Sequence, residues 1–150
     1  FNLFSQARFS KGQPDSTRRC GLTPVIGYIW QGYHNLEVGI EPVYFFNKKR
    51  NTQNIGLILG CYFFNHNVTY VAPFSTLKYY HPRKNKGIGW SISCCYWQTT
   101  VYGITDQRIT PELSLHWAHG SLSYGYNVPI GNNTIPFITP SRIALRLIYF

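Results

Sequence analysis

The stretch Ile88-Gly-Trp-Ser-Ile-Ser-Cys-Cys-Tyr96 changes chemistry at every residue. Ile88, Trp90, Ile92, Cys94 and Tyr96 fall on one side of an extended chain, and Gly89, Ser91, Ser93 and Cys95 on the other. Side chains alternate across a strand, so a period of two is the mark of a strand with two different environments. The same reading extends outward in both directions. Leu122, Tyr124, Tyr126 and Val128 oppose Ser121, Ser123, Gly125 and Asn127. Leu113, Leu115 and Trp117 oppose Glu112, Ser114 and His116. Leu36, Val38, Ile40 and Tyr44 oppose Glu37, Gly39 and Glu41, while Ile143, Leu145, Leu147 and Tyr149 oppose Arg142, Ala144 and Arg146. Three segments alternate less cleanly. Tyr62 and Phe64 share the glycine face of their segment, Ile29 lies on the face of Gly27 and Gln31, and one segment carries Pro73.

Eight such segments are expected, near 23–32, 36–46, 54–64, 67–79, 87–101, 109–118, 121–130 and 141–150. Turn-forming connections lie between them, at 33–35, 47–53, 65–66, 81–86, 103–108, 119–120 and 131–140. Residues 1–21 lack periodicity and read as an N-terminal arm, leaving 22–150 as one domain. No 3.6-residue pattern is present, so the chain reads as all-β.

Alternation alone suits a soluble sandwich or a ligand-binding barrel as well as a membrane barrel. The polar faces separate these. A water-facing sheet is dressed in Lys, Glu, Thr and Gln, whereas these faces are mostly Gly and Ser, and the segments hold one lysine, Lys78. Small residues are what a narrow eight-stranded interior accommodates. The opposite faces carry bulky aliphatics with Trp and Tyr, as a lipid-facing band with aromatic girdles requires. Segments of about 9–11 tilted residues span a bilayer core, and closure satisfies every backbone group there. The expected fold is therefore a closed antiparallel up-and-down transmembrane β-barrel of about eight strands.

Composition agrees with this. Of 150 residues 17% are aromatic and only 13% charged, about half the usual charged share. No run approaches the roughly 18–20 apolar residues of a spanning helix. There is no methionine, so the chain is expected to be a processed product that has lost a signal peptide. The four cysteines have no metal-ligand spacing, and Cys94 and Cys95, being adjacent, are expected to see different surroundings. No metal or cofactor is expected.

The charges form two groups. Glu37, Glu41, Glu112, His116, Arg142 and Arg146 lie on polar faces, and if the first and last strands close the barrel, the arginines approach the glutamates of the second strand across the interior. Such charges should be paired, because unpaired burial is costly. They are expected to form a salt-bridged filling of the lumen. The second group is basic. Arg18 and Arg19 in the arm, Lys48, Lys49 and Arg50 in one connection, and Arg83, Lys84 and Lys86 in another share the end of the barrel that holds both termini. With Arg8 and Lys11, ten of the fourteen Lys and Arg residues fall there. They suit anionic headgroups or an acidic partner at the periplasmic end. Despite a net charge of +9, nucleic acid is not an expected partner, because no recognition motif accompanies it.

In strand number, dyad pattern, aromatic ends and the closing segment 142–150, residues 23–150 resemble the small outer-membrane barrels of the OmpA/OmpX type. A final phenylalanine is similar to the signal read by the barrel-assembly machinery, although Phe150 is out of phase with the outward series Ile143 to Tyr149. The aromatic style of Gly-Tyr-Ile-Trp-Gln-Gly-Tyr at 27–33 resembles barrels of the Bacteroidota. The resemblance implies the outer membrane of a Gram-negative bacterium, and lipids including lipopolysaccharide as surroundings. Short connections at the end away from the termini, 131–140 excepted, do not suit an adhesin. The expected role is non-catalytic: a structural or accessory subunit beside another outer-membrane or periplasmic protein. The alternative is a lipid A-modifying enzyme of deacylase type using Ser, His and an acid: His119 and Ser121, in a His-x-Ser arrangement, with Glu112 or His116 nearby. An i, i+2 pair shares a face, but these two straddle a tight turn.

Overall fold

The computed structural model describes residues 19–48, 51–66, 68–81, 88–117 and 120–148. They form nine strands: β1 (Arg19–Trp30), β2 (His34–Lys48), β3 (Asn51–His66), β4 (Val68–His81), β5 (Gly89–Val101), β6 (Ile104–Trp117), β7 (Gly120–Tyr126), β8 (Val128–Pro129) and β9 (Ser141–Ile148). Each strand is antiparallel to its neighbours. Pairing runs in chain order from β1 to β7, and β9 then lies between β7 and β1, which closes the sheet. The two-residue β8 continues the line of β7 along β6 after a break at Asn127. The barrel thus has eight staves, one of them interrupted.

Closure is what the alternation demands. The burial of β5 and β6 switches at nearly every residue, with Ser91, Ser93, Cys95 and Trp97 inward and Trp90, Ile92, Cys94 and Tyr96 outward. Cys94 and Cys95 accordingly differ, the first exposed and the second buried. Prolines within strands remove a ladder donor, and Pro24, Pro42, Pro73 and Pro111 all lie in the outward series.

Several boundaries depart from expectation: His34, Asn35, Asn47 and Lys48 belong to β2, and Asn51, Thr52, Gln53, Asn65 and His66 to β3, where connections were expected. Residues 19–21, assigned to the arm, belong to β1, which pairs with β2 from Arg19↔Phe45 onward; the rest of the arm lies outside the described residues. The expected connection at 103–108 is in fact a two-residue turn, and β6 begins at Ile104. Tyr102 and Gly103 have φ of 50° and 77°, the double positive φ of a tight hairpin turn. The hairpin extends because Thr100 and Thr105 hydrogen-bond across it at 3.0 Å, as do Gln98 and Gln107 at 3.1 Å. With polar residues on both faces there, no apolar alternation marks those rungs as strand.

The barrel has two ends. One holds the start of β1, the finish of β9 and the β2–β3, β4–β5 and β6–β7 connections, and is called the terminal end below. The hairpin end holds the tight turns and the segment 130–140.

Candidate functional site

The lumen is built on glycines. A Cβ at Gly27 would stand 2.7 Å from Glu37 Oε2 and 3.1 Å from Arg146 Cγ. One at Gly125 would stand 2.8 Å from Glu112 Cγ, and one at Gly56 would collide with the Glu41 carboxylate. Each glycine therefore clears the space in which a long ionic side chain from a neighbouring strand lies. The alternation of small and charged residues along the inner faces is a packing code, with small residues opposite long ones.

Arg146 is the hub. Its Nε donates to Glu37 Oε2 at 2.6 Å, its Nη1 to Glu112 Oε2 at 3.0 Å and to Ser123 Oγ at 2.9 Å. Arg142 Nε stands 3.0 Å from Glu112 Oε1, a charge contact without the alignment of a hydrogen bond. Its Nη2 donates to the Tyr62 hydroxyl at 2.7 Å, and its guanidinium lies 4.7 Å from the Tyr62 ring centroid. One carboxylate, Glu112, thus joins both arginines, and β9 is tied to β2, β3 and β6 through the interior. All four ionic groups are fully buried or nearly so. Pairing in that setting offsets desolvation, and losing one partner typically costs about 3–5 kcal/mol.

Above this network, toward the hairpin end, aromatic rings fill the bore. Tyr62 and Phe74 stack with centroids 4.2 Å apart and planes 3° from parallel, and Trp97 meets Tyr62 edge-on at 6.1 Å. Trp97 Nε1 donates to Thr110 Oγ1 at 3.1 Å, and Thr110 Oγ1 donates to Asn127 Oδ1 at 2.7 Å. The rings fit because Gly39 and Gly60 face each other across β2 and β3. A Cβ on Gly60 would lie 2.8 Å from the Phe74 ring.

The hairpin end is closed by chain. Arg108 pairs with Asp106 at 2.8 Å and donates from Nη1 to the Ile138 carbonyl at 3.2 Å. The Ile135 N–H donates to Asp106 Oδ2 at 2.9 Å. Ile135 and Ile138 are thereby sunk among the core residues of the mouth. Asn127 completes the closure: its Nδ2 donates to the Thr139 carbonyl at 2.9 Å, and its own N–H donates to the Pro140 carbonyl at 2.6 Å. Gly32, at φ +88°, leaves room for the Phe137 carbonyl, which a side chain there would strike. The shallow depression lined by Gln31, Tyr33, Asn35, Phe64, Phe137 and Ile138 has no room for a water molecule.

The structure brings Glu37, Glu112, Arg142 and Arg146 into one network. It places Glu41 and His116 in the same lumen on other partners. Glu41 accepts a hydrogen bond from the Tyr80 hydroxyl, and among the described residues no arginine reaches it. His116 Nε2 shares a 2.7 Å hydrogen bond with Ser91 Oγ. Of the basic terminal-end residues, Arg19 opens β1 and Lys48 ends β2, both at the terminal end. Arg18, Lys49, Arg50, Arg83, Lys84 and Lys86 lie outside the described residues, as does His119. Ser121 is inside the lumen, fully buried, opposite His116 and Arg146 in register.

Three elements of the lumen escape a reading of the sequence for sites. Asp106 and Arg108 fall in what reads as a loop. Lys78 is visible as the one lysine of the segments, yet nothing in its spacing assigns it a place in the charged filling. Tyr62 is visible only as a breach of alternation, a bulky ring on a glycine face. Among the described residues no group of three His, Cys, Asp or Glu side chains could hold a metal ion. Comparison with protein-family models, with curated proteins and with solved structures finds no match for this chain.

Proposed function

We propose that this protein is a non-catalytic transmembrane barrel of a Gram-negative outer membrane, of the OmpA/OmpX architecture, serving as a structural or accessory subunit of a larger assembly. One observation carries the reading. Every charged residue whose side chain is described, namely Glu37, Glu41, Asp106, Glu112, Lys78, Arg108, Arg142 and Arg146, is buried in the lumen. The outer surface presents instead a continuous belt of Leu, Ile, Val and Tyr, including Leu36, Val38, Leu59, Leu77, Leu113 and Leu145. Monomeric soluble proteins rarely expose an apolar surface of that extent, and hydrocarbon is the solvent that suits it. The outward tryptophans support the same placement: Trp30 lies at the hairpin rim, and Trp90 and Trp117 at the terminal rim. Interfacial aromatics occupy such positions. β1 to β6, at 12 to 16 residues each, exceed the roughly 9–11 needed to cross the core.

Two features favour the subunit reading. The bore is blocked by rings and crossed by ion pairs, and 130–140 folds into the mouth rather than standing out as a binding loop. Lipids including lipopolysaccharide would contact the belt. A protein partner would meet the basic terminal end or the belt itself.

The enzyme alternative, a lipid A deacylase using His119 and Ser121, is weighed down by the position of Ser121. Its hydroxyl lies inside the barrel, away from the surface an acyl chain would reach.

Fractionation and purification from native membranes in mild detergent test the proposal. Recovery in the outer-membrane fraction with a co-purifying protein is expected, and isolation as a detergent-free soluble monomer would sink it. Unchanged lipid A mass spectra on deletion are expected, and loss of an acyl chain modification would favour the enzyme. A charge placed on the belt supplies a physical test. Leu59→Arg is expected to destabilise the barrel by about 2–4 kcal/mol in bilayers, measured by urea titration in vesicles. A neutral effect would count against lipid around that strand.

A further inference from the structure

Buried polar atoms without a hydrogen-bond partner are unevenly spread along the bore. Lys78 Nζ, Glu41 Oε2, Glu37 Oε1, Ser93 Oγ, Ser121 Oγ and Thr76 Oγ1 have none among the described residues. All six belong to the terminal side of the Tyr62–Phe74–Trp97 layer. On the hairpin side only Thr99 Oγ1 is in this condition, because Asp106, Arg108, Gln31 and Asn127 find one another or the backbone of 135–139, and Asn35 donates to the Ile29 and Tyr33 carbonyls.

Lys78 is the centre of this group. It is 1% exposed, with its ammonium 4.8 Å from the Tyr80 ring centroid. An ammonium carries three donors and no acceptor. The face of one ring does not replace a hydration shell, and a buried polar group left bare is costly. The sites around it offer both kinds of valence: three hydroxyls that donate or accept, and two carboxylate oxygens that accept.

Charge decides what such a site holds. Among the described residues Glu37, Glu41 and Glu112 are matched by Lys78, Arg142 and Arg146, so the lumen wall here shows no excess of either sign to draw an ion. A small neutral molecule that donates and accepts at once meets every orphan atom. Water is that molecule, and ordered waters in proteins occupy sites with two to four polar partners.

We infer that the terminal half of the lumen is a blind, water-holding chamber centred on Lys78. It is entered from the terminal end, where Tyr80 keeps part of its surface exposed, and closed by the ring layer. The waters bridge the Lys78 ammonium to Glu41 Oε2 and Glu37 Oε1, with Ser93, Ser121 and Thr76 as the walls. The chamber is a property of the bore alone and does not depend on where the barrel resides or what binds it.

Thiol accessibility in detergent micelles tests both ends of the chamber. All four cysteines are first replaced by serine, because Cys95 pairs with Thr76 and so borders the chamber itself; Thr99, 2% exposed and on the hairpin side of the ring layer, supplies the protected control position. In that background Ser121→Cys is expected to react with 2-aminoethyl methanethiosulfonate at least about a hundredfold faster than Thr99→Cys, whose exposure needs local opening. Equal protection of the two would mean a dry bore, and equal reactivity would mean an open one; either overturns the inference. A second measurement uses the unaltered chain. Magnetisation transfer from water to the 15N-labelled Lys78 ammonium is expected, with the signal assigned by its loss in Lys78→Met. A Lys78 ammonium signal without transfer from water would overturn the inference even if the thiol variants fail to fold.

Discussion

The two halves of the bore solve the same problem by different means. At the hairpin end the charges are few and each is saturated. Asp106 takes Arg108 and a backbone N–H, and Arg108 takes two carbonyls of the returning chain. At the terminal end the charges are many, supplied by strands alone, and two of three carboxylates keep an oxygen without a partner. The difference lies in what each half has available. Strand backbone is mostly spent on the ladder and has little left for side chains in the bore, whereas the segment 130–140 brings unspent N–H and C=O groups into the mouth. The hairpin half is therefore satisfied by the segment that enters it. Elsewhere the barrel must pair charge with charge.

Breaking the hub should hurt most. Arg146→Met leaves Glu37 and Glu112 facing each other across a buried space, and a loss of about 3–5 kcal/mol is expected, read as the urea midpoint for loss of heat-modifiable gel migration. Adding Glu37→Gln should restore much of it; if the double variant is no better than the single one, the cost lay in packing and not in charge. Next comes the mouth. Asp106→Asn removes the charge from the Arg108 pair and weakens the anchor of Ile135, for an expected loss of about 1–3 kcal/mol. Proteolysis within 131–139 should accelerate while the barrel remains folded, and simultaneous loss of barrel and loop would show that the two halves are not separable. The smallest effect belongs to the layer between them. Tyr62→Phe keeps the stack on Phe74 and removes the acceptor of Arg142 Nη2, at an expected cost of about 1 kcal/mol. A cost as large as that of Arg146→Met would move the hub of the network to β3.

The sequence already displayed most of the barrel. Alternation of bulky and small residues in β2, β5, β6, β7 and β9 is a local property, so it survives without knowledge of any partner. The pairing of charges is not local. That Glu112 and Glu37 meet Arg146, while Glu41 turns to Tyr80, depends on the stagger of β9 against β1 and of β2 against β3, which no single strand reports. The mouth was hidden for another reason. Asp106 and Arg108 lie on a hairpin polar on both faces, which reads as loop by the same rule that finds the other strands. The exceptions were the better signal: Ile29, Tyr62 and Phe64, the residues that spoil the alternation, are core residues inside the bore.

The place of the two arginines in the chain has a consequence for how the barrel forms. Arg142 and Arg146 ride on the last strand, and the contact from Arg146 to Glu37 spans 109 residues. Until β9 docks, three glutamates on β2 and β6 have only Lys78 among the buried bases of that half to balance them. Contacts of such separation are made late and slowly, because a long loop must close before they return any energy. The final stave is therefore both the seam and the latch: the seven others lack their counter-charges until it arrives, so formation of the sheet and neutralisation of its interior are one cooperative event.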